Sequence, residues 1–194
     1  MKGRAVAALT LAAVFLTACG GQETAKGLKT FTEPGTLNGE VVSTKKGESA
    51  VLVKDGGAVF VNNAEISRRY SGKAGKVETA GVFVLSGKAV VNNSNLRTEA
   101  AGASGILVAD EGELEFADSA LATAGEKSPG LSTRGKGGVY AWDNIVGTTG
   151  SDSPALMIGA GEGSMTLDGG TFTATGEQSP AARGCSVPCA GAGQ

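Results

Sequence analysis

Of the side chains that carry most enzyme chemistry, this sequence lacks one outright: it has no histidine. A Ser-His-Asp triad, a Cys-His pair and a histidine metal site are therefore excluded. Carboxylates are the next candidates. Asp110, Glu111, Glu113, Glu115 and Asp118 crowd one segment, and carboxylate is the donor type that calcium takes. The first two fall in a turn and the others alternate along a strand edge with no arginine beside them in sequence. The cluster reads as a solvated acidic turn, and no metal or other cofactor is expected. Asp118 and Asp143, 25 residues apart, are a second pairing, which could serve acid/base work on a sugar. Their spacing equals a structural period, however, and a corner role is the stronger reading. Cys185 and Cys189 are near enough in sequence for a disulfide in an oxidising compartment. Lys plus Arg (17) nearly balances Asp plus Glu (19), so nucleic acid is not expected as a bulk electrostatic partner.

The elements that must hold these residues repeat. Glycine supplies 32 of 194 residues, charged side chains 19% and aromatics 5%, a composition poor in helix-surface residues and in large core rings. Small residues at Ala50, Gly81, Gly105, Gly130, Ala155 and Ala181 recur at steps of 31, 24, 25, 25 and 26. Each heads a short strand such as Val51-Leu52-Val53 or Ile106-Leu107-Val108. A glycine-rich turn follows, then a second alternating strand such as Val59-Phe60-Val61 or Val139-Tyr140-Ala141, then an apolar residue at Ile66, Leu96, Leu121, Val146 or Phe172. Period-two alternation inside a period near 25 means strands with turns at fixed offsets. A unit of that size cannot bury its own apolar face and has to stack on its neighbours. The expected fold is all-β, a right-handed parallel β-helix (solenoid) of about five to six coils of ~25 residues.

Stacking places equivalent residues in columns. Val51, Val82, Ile106, Leu131 and Leu156 form one inward column, and Thr98, Thr123 and Thr148 are expected inward near a corner. Asn63, Asn93, Asp118 and Asp143 fall where the chain must bend, and both residue types tolerate the left-handed conformation a bend requires. Leu52, Phe83, Leu107 and Met157 have the opposite parity and predict an outward apolar patch, with Phe60, Tyr140 and Trp142 showing a similar tendency on the second strand. Such a patch is a candidate binding face. The 31-residue step is about six longer than the others and sets Arg68, Arg69, Tyr70, Lys73 and Lys76 in a candidate binding loop.

The start of the chain resembles a bacterial lipoprotein precursor. Lys2 and Arg4 precede a mostly apolar run from Ala5 to Leu16, too short to span about 30 Å of hydrocarbon. Leu16-Thr17-Ala18-Cys19 resembles the lipobox, in which cleavage leaves the cysteine as a lipidated first residue. That resemblance implies a lipoprotein signal peptide over 1–18, lipidation at Cys19 and a membrane anchor in the bacterial cell envelope. With Gly20 next, it implies the outer membrane if the cell is diderm. Residues 19–39 read as lipidated cysteine plus flexible tether.

The units Gly102 to Gly125 and Ser153 to Gly176 resemble coils of autotransporter passenger domains, the pertactin-like β-helices, and other adhesin-like repeats. The enzymes of the pectate-lyase-like superfamily share that architecture. The Asn-Thr-Asp, Asp-Asp, Gly-His-Gly and Arg-Ile-Lys motifs of polygalacturonase-like members are all missing from this sequence. The β-helix is expected over 40–183 and an irregular tail over 184–194. The expected function is a structural or adhesive surface module that binds glycan or protein, with end-to-end self-association through its coils; the alternative is a polysaccharide-active enzyme or its remnant.

Overall fold

The structure, a computed structural model, describes residues 25–73, 75 and 77–184, and none of these is helical. The strands are β1 (Lys26–Phe31), β2 (Pro34–Ser43), β3 (Glu48–Val53), β4 (Ala58–Arg68), β5 (Ala80–Asn92), β6 (Asn95–Thr98), β7 (Ser104–Ala117) and β8 (Ala120–Thr123). They continue as β9 (Leu131–Gly135), β10 (Gly138–Trp142), β11 (Ile145–Thr148), β12 (Leu156–Gly161), β13 (Ser164–Asp168), β14 (Thr171–Ala174) and β15 (Ala182–Gly184). All pair in parallel, and the chain winds as a β-solenoid of about six turns.

Three faces run along the stack. The first holds β1, β3, the opening halves of β5 and β7, then β9, β12 and β15. The second holds the opening halves of β2 and β4, the closing halves of β5 and β7, then β10 and β13. The third holds the closing halves of β2 and β4, then β6, β8, β11 and β14. Register follows the repeat: Val51, Val82, Ile106, Leu131 and Leu156 stack in turn. With Val61, Val91, Phe116, Ile66, Leu96 and Leu121 they form one continuous core between the faces.

Each coil turns three corners, and most of them use a left-handed residue. Asn63, Asn93, Asp118 and Asp143 hold φ of 51°, 46°, 46° and 53° between the second and third faces. Asp55, Asp110 and Gly135 do the same between the first and second faces, and Gly102, Lys127, Asp152 and Gln178 before each return to the first. The Asn/Asp column is thus a corner, as its chemistry predicts.

Two hydrogen-bond ladders tie the corners of successive coils. Ser128 Oγ accepts from the N–H of Ala103, Ser153 Oγ from the N–H of Ser128, and Ser179 Oγ from the N–H of Ser153. Their hydroxyls donate back to the carbonyls of Ala100, Gly125 and Gly150. At the opposite corner Ser94, Ser119 and Asn144 accept from the N–H groups of Ala64, Ser94 and Ser119. Buried backbone donors at the bends thereby find acceptors that the strand ladders cannot supply. Thr123 and Thr148 are buried as expected, and each closes a corner by donating to the carbonyl five residues on, Ser128 O or Ser153 O.

The solenoid begins earlier than the expected boundary at residue 40. Strand β1 and the first half of β2 lie inside the segment read as tether, paired with β3 and β4. The first described coil is more polar than those after it: Phe31 and Leu37 contribute to the core, whereas Lys29 stands exposed in register with Val51. The signal peptide, Cys19, Cys185 and Cys189 lie outside the described residues.

Candidate functional site

Leu52, Phe83 and Leu107 do turn away from the main core, but they are not a surface. They are 1%, 2% and 5% exposed and form a second small core with Ala80 and Ala109. The long connection between Arg68 and Ala80 returns across this face. Its Glu78 reaches Arg134, two coils further on, at 2.6 Å, and its Lys73 bridges to Ala101. Tyr70 packs against Ala100 and Ala103. Parity alone reports that a side chain leaves one core; it does not report what lies above it. Further along the same column Ser132 is buried and bonded to Ser104 Oγ, and Met157 is half-buried.

Arg68 likewise is not a loop residue. It ends β4 in register with Ser43 and Thr98, in the inward column of corner hydroxyls, and is fully buried. Its Nε donates to Glu48 O at 2.9 Å, its guanidinium lies 5.9 Å from the Tyr70 ring centroid, and Nη1 and Nη2 have no partner among the described residues. Burial draws its pKa below the ordinary arginine range, with Tyr70 and Glu48 opposing. Arg69 and Lys73 are exposed and Tyr70 half-buried; Lys76 lies outside the described residues.

The connection and the last coils bound a cleft of about 470 Å³ whose lining includes Glu78, Thr79, Leu107, Lys127, Arg134 and Met157. Arg134 also contacts Asp110 Oδ1 at 3.3 Å, so the acidic turn does have an arginine beside it, supplied by the next coil. Among the described residues no group of three or more acidic or cysteine side chains is placed to hold a metal ion. None of the cleft's charged members stood out in sequence, because Glu78, Lys127 and Arg134 come together only through the stacking register.

The second face is open. Phe60, Tyr140 and Trp142 are 45%, 60% and 36% exposed, and Ile145, just past the corner, is 63% exposed. Tyr140 and Trp142 are two residues apart on β10, so they point the same way about 7 Å apart. Phe60 shares the Tyr140 column three strand steps away. Glu115 and Thr166 flank Tyr140 in that column, and Trp142 lies between Ala117 and Asp168. Glu115 also takes Lys88 Nζ at 2.5 Å, a hydrogen bond that holds the lysine's pKa above its ordinary value.

No protein-family model, curated protein or solved structure matches this chain. The functional reading therefore rests on the chain's own residues.

Proposed function

We propose that this chain is an envelope-anchored lipoprotein whose β-solenoid serves as a structural and adhesive surface module, a binding module rather than an enzyme. The second face is its contact surface for glycan or protein. One observation carries the reading: two aromatic side chains, Tyr140 and Trp142, stand exposed on the same side of β10, with Phe60 in the Tyr140 column. Rings presented this way offer large contact area at small entropic cost. The carboxylates of Glu115 and Asp168 and the Thr166 hydroxyl beside them supply hydrogen-bond partners suited to sugar hydroxyls. The lipobox-like Leu16-Thr17-Ala18-Cys19 supports the anchor, and acyl chains at about 0.8 kcal/mol per buried CH₂ would hold the solenoid at a membrane.

Trp142 is the sole tryptophan, so its fluorescence reports on this face directly. Titration with glycans and matrix proteins is expected to shift its emission saturably, and Tyr140→Ala is expected to weaken binding about tenfold, or ~1.4 kcal/mol, with circular dichroism unchanged. Silence of Trp142 towards every glycan and matrix protein would end the adhesive reading. Incorporation of labelled palmitate into the chain but not into Cys19→Ala tests the anchor separately.

A further inference from the structure

The second face changes character along the stack. Lys88 is the sole cation on its strands, and Glu115 takes it up. Around Tyr140 and Trp142 the charge is of one sign. Glu113, Asp118, Asp143 and Asp168 are exposed and have no ion-pair partner among the described residues. The strands that carry or border them, β7, β8, β10, β11, β13 and β14, contain no lysine or arginine. Lys136, in the turn before β10, shares its hollow with Asp110 and Glu111. In a chain of 19 acidic and 17 basic residues, acid is thus concentrated beside the aromatics.

The corner column shows that the fold does not require this charge. Asn63 and Asn93 make the same left-handed bend and bond to each other through their amides. Asp118 and Asp143 keep that backbone, with φ of 46° and 53°, but carboxylates only accept, and they set like charges one strand spacing apart, about 4.8 Å. Such a pair is destabilising without a countercharge. The exchange of amide for acid falls beside the tryptophan: the Asp118 N–H donates to Trp142 O at 3.3 Å, and the Asp143 N–H to Asp168 O at 3.1 Å.

We propose that the partner of the second face is a basic segment of another protein, whose lysine or arginine side chains lie on Tyr140 and Trp142 between the carboxylates. Ammonium and guanidinium groups are drawn to aromatic faces, tryptophan most strongly, and the carboxylates add charge-assisted bonds. The acids flank the rings across three coils, about 10 Å along the stack, so an extended polycation meets more of them than a single amine does. Ile145, 63% exposed just past the corner, offers an aliphatic contact that a peptide side chain uses and a sugar hydroxyl does not. This inference rests on the reading of that face as a contact surface and names the class of partner.

Trp142 fluorescence of the full chain is titrated with acetyl-Gly-Lys-Gly-Lys-Gly-Lys-amide, the same peptide with glutamate for lysine, a neutral glucan, heparin and a glucosamine oligomer. The expected result is a saturable shift with the lysine peptide, weakened at least about tenfold between about 20 and about 500 mM salt, and none with the glutamate peptide or heparin. Asp118→Asn combined with Asp143→Asn copies the corner of the earlier coils, so the urea midpoint should hold or rise while peptide affinity falls about fivefold. Lysine-peptide binding that ignores both salt and the double substitution overturns the proposal. So does a glucosamine oligomer that binds as well as the peptide, which assigns the face to a cationic glycan. Silence towards the lysine peptide overturns it too, leaving the adhesive reading standing if a glycan or matrix protein shifts Trp142 and ending both if none does.

Discussion

Asn93 Nδ2 donates to Asn63 Oδ1 directly beneath it in the stack, while both residues hold the left-handed backbone of the same corner. One residue type thus meets two demands, since its short side chain tolerates positive φ and its amide bonds along the stacking axis. Asn93→Gly keeps the backbone freedom and loses only the exposed amide contact, so it is expected to cost under about 1 kcal/mol. Asn93→Val forces a β-branched side chain into φ of 46° and is expected to cost about 2 kcal/mol or more. Urea unfolding of the two variants side by side measures the difference.

Ser153 is the middle rung of a ladder. Its Oγ accepts from the N–H of Ser128 and donates to Gly125 O. Ser153→Ala orphans a buried N–H and is expected to destabilise by about 1–3 kcal/mol. Hydrogen exchange at the Ser128 amide should accelerate along with the global loss, whereas an exposed control such as Ser151→Ala should leave both unchanged.

For Arg68, removing the charge and removing the volume should have opposite effects. Its two terminal nitrogens are buried without partners among the described residues, and the Ser43 hydroxyl, which donates to Glu48 Oε2 at 2.9 Å and lies 3.4 Å from Glu48 O, can turn its proton to that carbonyl. Arg68→Met fills similar space without a buried cation and is expected to be neutral or stabilising by up to about 1 kcal/mol. Arg68→Ala leaves a void and is expected to cost about 2–4 kcal/mol. Thermal melts of both variants decide this.

Glu78 tethers the long connection to Arg134 from a site that is 52% exposed. An exposed pair contributes roughly 0.2–1 kcal/mol, so Glu78→Gln should scarcely move global stability. It should instead loosen the connection locally, with tryptic cleavage at Arg69 and Lys73 accelerating about two- to fivefold. Raised salt should speed cleavage of the parent chain in the same direction. Unchanged digestion kinetics would show that packing of Tyr70, and not the ion pair, holds the connection down.

The parallel stack was legible because its signals are chemically marked and repeat: aliphatic columns such as Val82, Ile106 and Leu131, and Asn or Asp at one bend. The serine ladder was legible in principle, since Ser128, Ser153 and Ser179 each precede proline and a small residue, but a serine in a turn is ordinary until its coil-to-coil register is known. Arg68 was misplaced because the period breaks immediately after it, and a guanidinium is rarely assigned to an inward column. Leu107 was placed on the correct side of its strand. The connection residues Glu78 and Thr79, which line the cleft beside it, belong to an insertion with no period to align them. The cleft has no local signature at all, because Glu78 and Arg134 are neighbours only across two coils.

Lys29 occupies the column that every later coil fills with an aliphatic residue. Any strand laid against β1 in the same register would trap that ammonium in an oily layer with no counterion supplied. Inward-facing charge on a terminal strand is a known guard against unwanted templating, and it gives this stack a polarity. Among the described residues, β13 and β14 leave Met165 and Phe172 half covered, whereas a strand added in register on β1 would have to bury Lys29, so the two outermost coils differ in the chemistry of the layer they could pair with.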